Sequence, residues 1–404
     1  MILSTLLLIL AVTVAVPIAV VAIEVCAAVW PSRHRTAQVT TRPTVDVLIP
    51  AHNEETVIEA TLDSVRTQVR PGDRIVVVAD NCTDRTAELA RRAGVIVCER
   101  HNDEQRGKGF ALQFGVQQIA PEHADVVVII DADCRLEPGT LDALAITAVA
   151  ANRPVQGDYL MTCPPEPSPR DVVSHFAVTV KNRVRQRGVN HLGGAAVLTG
   201  SGMAFPWEII KHARLDGGNI VEDMQLSFEL LIAGHAPLYC SEARVIAPLP
   251  QQHKASRAQR TRWEHGHLQT MLNRVPRLLW ESVRQRRLGL LGAAIDLAVP
   301  PLSLLVLAWG IVCLATIGGA IAGFGFVPLV VTGVAGLLLV AAMWLSLTYF
   351  GDGLTVGAVF AAVPRYVVGK VPIYASFLFR RQKAWVRTDR DQVVHPHIHP
   401  EVPA

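Results

Sequence analysis

Two stretches of this chain carry no charge at all, and they limit its possible folds more than any other feature. Residues 1–23 are uncharged, and the apolar run continues past Glu24 to Trp30 before Arg33, His34 and Arg35. Residues 297–351 are uncharged again. A membrane-spanning helix needs ~20 apolar residues, so the first run suits one span. The second suits two, broken near Gly323-Phe324-Gly325, with Pro300-Pro301 setting off a short helix before them. The positive charge follows the first apolar run rather than preceding it, which reads as a signal-anchor with its basic flank inside. Residues 353–379 are apolar but interrupted by Pro364, Arg365, Lys370 and Pro372, a pattern suited to a helix lying in the interface. Arg380, Arg381, Lys383, Arg387 and Arg390 follow, and a cytosolic position for them requires an even number of crossings after residue 290.

The expected organisation is therefore an anchor over 1–30, a cytosolic domain over 43–280, two spans within 288–351, an interfacial helix over 353–379 and a basic cytosolic tail over 380–404. Residues 36–42 read as a short linker. In the tail, His395, His397 and His399 alternate with prolines, which suits an unpacked end rather than a metal site.

The middle of the chain alternates. Val126-Val127-Val128-Ile129-Ile130 is a run of β-branched residues, as in a strand buried on both faces. Upstream, strands are expected at 45–50, 74–79 and 95–98, and helices at 54–68, 83–93 and 109–119. Downstream come helices from about 139 to 151, 171 to 187, 222 to 233 and 256 to 274, with strand material at 155–161 and 237–245. Strands alternating with helices of ten to fifteen residues predict an α/β domain built on a parallel, doubly wound sheet. With 404 residues and a formal charge of +3 the chain exceeds one ordinary domain and has no nucleic-acid footprint. Seven cysteines without a CxxC pair argue against a disulfide framework or a zinc site and fit a reducing compartment.

The central strand ends in Asp131-Ala132-Asp133. Ligands of open α/β sheets bind outside the carboxyl ends of the strands, and two carboxylates there can hold a hard divalent cation. Pro50-Ala51-His52-Asn53 and Asp80 end the first two strands on the same edge. Asn53 and Thr83 are also good helix N-caps, a role compatible with ligand binding. Arg106-Gly107-Lys108-Gly109 is a basic loop able to approach a phosphate, or an ordinary exposed turn. Glu222-Asp223 opens a helix, where acids complement the dipole. As a functional pair, only one of the two should face a given pocket, since helical neighbours point ~100° apart. Gln259-Arg260-Thr261-Arg262-Trp263 is an interfacial anchor or a diphosphate clamp, with Arg262 for bidentate contact and Trp263 for stacking on a sugar.

In this order the pieces resemble the membrane-bound family 2 glycosyltransferases, which include cellulose, hyaluronan and poly-N-acetylglucosamine synthases. Asp131-Ala132-Asp133 matches the family's DxD motif, Val221-Glu222-Asp223 its TED-type motif with Val for Thr, and Gln259 to Trp263 its QxxRW motif. Thr199-Gly200-Ser201-Gly202 resembles its acceptor-side glycine loop.

The resemblance implies a GT-A domain flanked by transmembrane helices, in a bacterial plasma (inner) membrane, using a UDP-sugar with Mg²⁺ or Mn²⁺. By motif, Pro50, His52, Asn53 and Asp80 would hold the nucleoside and Lys108 the phosphates. Asp131 would help hold the donor and, with Asp133, the metal. Asp223 would be the base in an inverting transfer, and Gly200, Ser201, Gln259, Arg262 and Trp263 would line the diphosphate and acceptor site. Synthases that extrude a polymer unaided have more spans than are counted here. Two products stay open: a growing cell-surface glycan, made with export partners or as a homo-oligomer, or a membrane glycolipid carrying one or a few sugars. A scaffold or transport subunit with an inactive domain is disfavoured by the retained motifs.

Overall fold

The computed structural model describes residues 2–31, 41–215, 222–249 and 253–379. The basic tail with its histidines, Val221 and most of the 36–42 linker lie outside the described residues. Eight strands form one sheet: β1 (Val45–Ala51), β2 (Arg74–Asp80), β3 (Ile96–Arg100), β4 (Val126–Ile129), β5 (Arg135–Leu136), β6 (Val155–Thr162), β7 (Met203–Pro206) and β8 (Leu238–Pro248), in the order β3-β2-β1-β4-β7-β6-β8-β5. Strands β3, β2, β1 and β4 are mutually parallel, which is the expected doubly wound half. The other half departs from that expectation. β7 runs antiparallel to both β4 and β6, and β5 antiparallel to β8, so the sheet is mixed. The cause is local. Gly200 and Gly202 take φ of +97° and +70°, turning the chain so that Met203–Pro206 runs back along β4.

The β4 residues are fully buried, and their sides alternate between two cores. Val126, Val128 and Ile130 join Ile58, Leu62, Leu141 and Leu144 on one face. Val127 and Ile129 join Leu112, Val116, Phe205 and Leu226 on the other. Burying each such side chain contributes ~1.5–3 kcal/mol, and the strand is thereby fixed in register with its acidic end at the sheet edge.

Two helices begin later than the cap residues suggested, at Ile58 and Thr86. Asn53 has φ +56° and does not cap. Its Oδ1 accepts the Thr83 N–H at 2.7 Å and its amide donates to the Thr83 hydroxyl at 3.1 Å. The two side chains tie the β1 and β2 loops together instead.

The helical stretch after β6 starts at a Ser168–Asp171 capping box, and Pro169–Thr179 leads into a π-helical turn over Val180–Arg185 and then Gln186–His191. The extra residue in that turn lets neighbours face three ways. Val180 and Val184 pack on the long apolar helices at the two ends of the chain. Asn182 donates to the Tyr159 carbonyl and Arg183 to Asp158 on β6. Lys181 lines open space described below.

Among the described residues four helices are long and apolar enough to cross a membrane: Ile2–Val29, Leu302–Ile321, Val327–Phe350 and Val356–Phe379. The last of the four is the least apolar. The last is continuous through Pro364 and Pro372. Polar contacts tie it to neighbouring helices: Ser174 to Tyr366, Lys370 to Glu264, and Tyr374 to both Glu264 and, on Leu302–Ile321, Ser303. Glu264 lies on the long helix His253–Arg284, two turns of which carry the Gln259–Trp263 stretch. The N-terminal helix packs on Gln186–His191, where a side chain at Gly188 would overlap the Glu24 carbonyl. Arg185 bridges Glu24 and Asp296.

Candidate active site

The carboxyl ends of β1, β2 and β4 open on a cleft of about 830 Å³. Its wall includes Pro50, His52, Asn53, Asp80, Lys108, Asp131, Asp133, Gly200, Asp223, Gln259, Arg262 and Trp263, brought together from seven separate segments. Ser201 is not in the wall. It is fully buried behind Asp131, and its hydroxyl accepts the Asp131 N–H at 3.0 Å. Its part is to hold the strand end that presents the acids.

At the β1 and β2 ends, His52 Nδ1 lies 2.6 Å from the Asp80 carbonyl. The Asp80 carboxylate is buried and takes the Arg100 guanidinium at 2.6 Å. Arg100, absent from the sequence expectation, continues to the Gln105 carbonyl at 2.8 Å and so braces the loop leading to Lys108.

The centre of the cleft is a charge cluster around Gly200. Lys108 Nζ ion-pairs with Asp131 and donates to the Gly200 carbonyl at 2.7 Å. A Cβ on Gly200 would stand 3.1 Å from Asp223 Oδ2, 3.4 Å from Lys108 Nζ and 3.9 Å from Asp131 Oδ2. The glycine is therefore required twice, by its φ and by the three charged groups that close over it. Burial lowers the Lys108 pKa but the Asp131, Asp223 and Glu222 charges outweigh it, and the ammonium is held above its ordinary range.

Asp223 and Glu222 both line the cleft, contrary to the expectation that one would point away. The helix begins at Glu222, and a first-turn pair at the mouth of a wide cleft can both reach it. Asp223 Oδ1 also accepts the Met224 N–H at 2.8 Å, so a local backbone role coexists with its place in the cleft. Burial, joined by the Asp223 charge, pushes the Glu222 carboxyl up to about 7, against the opposing pull of Lys108 and Arg262.

Asp131, Asp133 and Cys134 present ligand atoms within 4.8 Å of one another. The two carboxylates suit a hard divalent cation. The Cys134 thiol does not: it is buried, and burial with the neighbouring Asp133 and Asp131 charges pushes its pKa well up, away from the thiolate form a soft metal needs.

The family model described as "Glycosyltransferase like family 2" matches residues 43–266. The chain is 26% identical over 278 residues to the probable glucomannan 4-beta-mannosyltransferase 10 of Arabidopsis thaliana, covering 61% of this chain and 46% of that one. It is 38% identical over 99 residues to the probable glycosyltransferase YdaM of Bacillus subtilis, covering 22% and 23%. The chain thus spans about half the length of the plant relative, or less of the bacterial one. Among solved structures it resembles the mannosyltransferase PcManGT of Pyrobaculum calidifontis, solved with GDP-Man and Mn²⁺, at a TM-score of 0.58 and 19% identity, over 94% of this chain and 100% of that one. That likeness is one of fold.

Proposed function

The chain belongs to glycosyltransferase family 2, and on that premise we propose that it moves a hexose from a nucleoside diphosphate sugar to a hydroxyl of a glycan or lipid-linked acceptor, with inversion and with help from a divalent cation. The observation that carries this reading is the convergence at Gly200: a base candidate, a paired lysine and the acidic strand end share one point in a cleft large enough for a nucleotide sugar.

The donor's nucleoside lies along the β1 and β2 ends, against His52, Asn53 and Asp80, with Arg100 keeping the Asp80 carboxylate in place. Asp131 and Asp133 would hold the cation, which supplies further neutralisation of the diphosphate when bound. Lys108 and Arg262 offset negative charge that grows on the leaving diphosphate as the bond to the anomeric carbon breaks. Asp223 takes the proton of the acceptor hydroxyl as its oxygen attacks from the opposite face. One displacement inverts the anomeric centre. Trp263 offers a flat face to the acceptor sugar.

The donor is the finer question. The motif resemblance implies a UDP-sugar, whereas the plant relatives' names make mannose the sugar to test beside glucose and N-acetylglucosamine. The helix Val356–Phe379 lies flat at the interface, supported by its lower hydropathy and by its polar ties to Ser174 and Glu264. The catalytic domain and the chain after residue 379 are then both cytosolic in a plasma membrane. The deciding experiment incubates the purified chain with labelled UDP-glucose, UDP-N-acetylglucosamine and GDP-mannose, with Mn²⁺, Mg²⁺ or chelator, and follows label into lipid extract and insoluble polymer. Transfer from one donor, lost with chelator, is expected. Absence of transfer from all three, or transfer that survives the chelator unchanged, would overturn the reading.

A further inference from the structure

A second, smaller cavity of about 130 Å³ adjoins the cleft where the catalytic domain meets the membrane helices. Val178, Lys181, Leu249, Gln259 and Trp263 border both spaces, so the two are neighbours across Trp263. The far wall is made by Val21 of the N-terminal helix and by Pro301, Leu302 and Ser303 at the start of the next. At about 130 Å³ against about 830 Å³ for the cleft, the space suits a small group such as a phosphate.

The charge around it is lopsided. Its ionisable walls are Lys181, Arg185, Arg260, Lys370, Asp171 and Glu264, with His267. Three of these charges are ion-paired, Arg185 with Glu24 and Asp296, and Lys370 with Glu264; Asp171 is hydrogen-bonded in the Ser168 cap and keeps its charge. His267 is neutral, since burial and the Lys181 and Arg185 charges push its pKa down to about 3. Two cations are left. Lys181 makes no hydrogen bond or ion pair among the described residues. It is exposed on the cavities it lines, while the protein around them holds its ammonium below the usual lysine range. The Arg260 Nη2 is buried with no hydrogen-bond partner. The buried Arg260 donor without a partner is costly, and an anion held between it and Lys181 offsets that cost.

We infer that this chamber holds the anionic phosphate of a lipid-linked acceptor, with Lys181 and Arg260 as its ligands and the lipid chain leaving between the helices that carry Val21 and Leu302. The inference rests on the glycosyltransferase reading and narrows its acceptor to a sugar-bearing lipid phosphate. The phosphate sits in the chamber, the attached sugar passes Trp263, and its hydroxyl reaches Asp223. There the O–H bond breaks, its proton goes to Asp223, a bond forms from that oxygen to the donor's anomeric carbon, and the nucleoside diphosphate leaves with the electron pair of the bond it held.

The test uses the full chain in detergent and native mass spectrometry with three probes: decyl phosphate, decanol and inorganic phosphate. Binding of UDP and GDP with Mn²⁺ is measured on the same samples. Decyl phosphate should bind and decanol should not. Lys181→Met and Arg260→Gln should each weaken decyl phosphate about 10- to 100-fold, the worth of a charge-assisted hydrogen bond, and Lys181→Arg should restore it. Nucleotide binding should hold within a few-fold. Decanol binding as well as decyl phosphate, or unchanged decyl phosphate binding in both variants, overturns the inference. So does inorganic phosphate binding as tightly as decyl phosphate, which would make this a free-anion site. If nucleotides fail to bind the wild-type chain, the glycosyltransferase reading itself fails; if they bind and decyl phosphate does not, only the acceptor inference falls.

Discussion

Replacing Asp223 by Asn separates base chemistry from everything else this residue does. Asparagine keeps the shape and the Oδ1 that accepts the Met224 N–H at 2.8 Å, so the helix start survives. What disappears is the negative charge and the ability to take a proton. The charge has a measurable neighbour. Asp223 Oδ2 and Lys108 Nζ lie 3.1 and 3.4 Å from one point, so they are at most the sum of those distances apart. At about 6.5 Å and an effective dielectric constant of ~20 their attraction is about 2.5 kcal/mol. Lys108 keeps its Asp131 partner, and the loss removes a repulsion against the donor diphosphate, so donor affinity should be unchanged or tighter. The rate should fall by ~10²–10⁴, or ~3–5 kcal/mol of barrier, as general-base removal does. Steady-state release of nucleoside diphosphate gives kcat, and calorimetry with UDP and GDP in the presence of Mn²⁺ gives affinity. A kcat within tenfold of wild type would assign the base elsewhere, with Glu222 the next to test. A parallel collapse of donor affinity would make Asp223 a binding group and refute the separation.

Glu222→Gln should change the pH dependence of stability. The folded chain keeps the Glu222 proton to about pH 7, against an ordinary value of 4.5, so unfolding releases a proton between those values and wild-type stability falls as pH rises through them. The variant should match wild type near pH 4.5 and exceed it above pH 7 by on the order of 3 kcal/mol, read from denaturant midpoints without nucleotide. Asp133→Ala should abolish the Mn²⁺ dependence of nucleotide binding, measured by calorimetry with and without chelator. Glu264→Gln or Lys370→Met, each leaving one buried charge alone, should cost ~3–5 kcal/mol in thermal unfolding, with much of the loss recovered in the double variant. A reporter fused after residue 379 should give a cytosolic signal; an external one would mean that Val356–Phe379 crosses.

The catalytic strand was legible because five consecutive β-branched residues permit little else, and its acidic end located the edge where the cleft lies. Most cleft residues were legible for the same reason: each follows a strand or opens a helix. Arg100 was not, since its partnership with Asp80 comes from the parallel register that sets those two residues side by side. β7 escaped notice because Met203–Pro206 is four residues long and owes its strand state to the glycine turn before it. Lys181 lay inside the helix expected over 171–187 and was not singled out. Only the π-helical turn, which no periodicity announces, turns it toward the cavities.

The contact between the N-terminal helix and Gln186–His191 makes the enzyme indivisible. A fragment trimmed to begin at residue 43 would strip Glu24 from Arg185, release the Ala27 carbonyl from His191, and uncover the apolar faces of Phe176, Val180 and Val184. The same helix carries Lys181 and the Asn182 and Arg183 ties to β6, so the disturbance would travel straight to the cleft wall. What resembles a tether is a brace for the helical stretch that borders the cleft, and a fragment without it would be a different object from the whole chain.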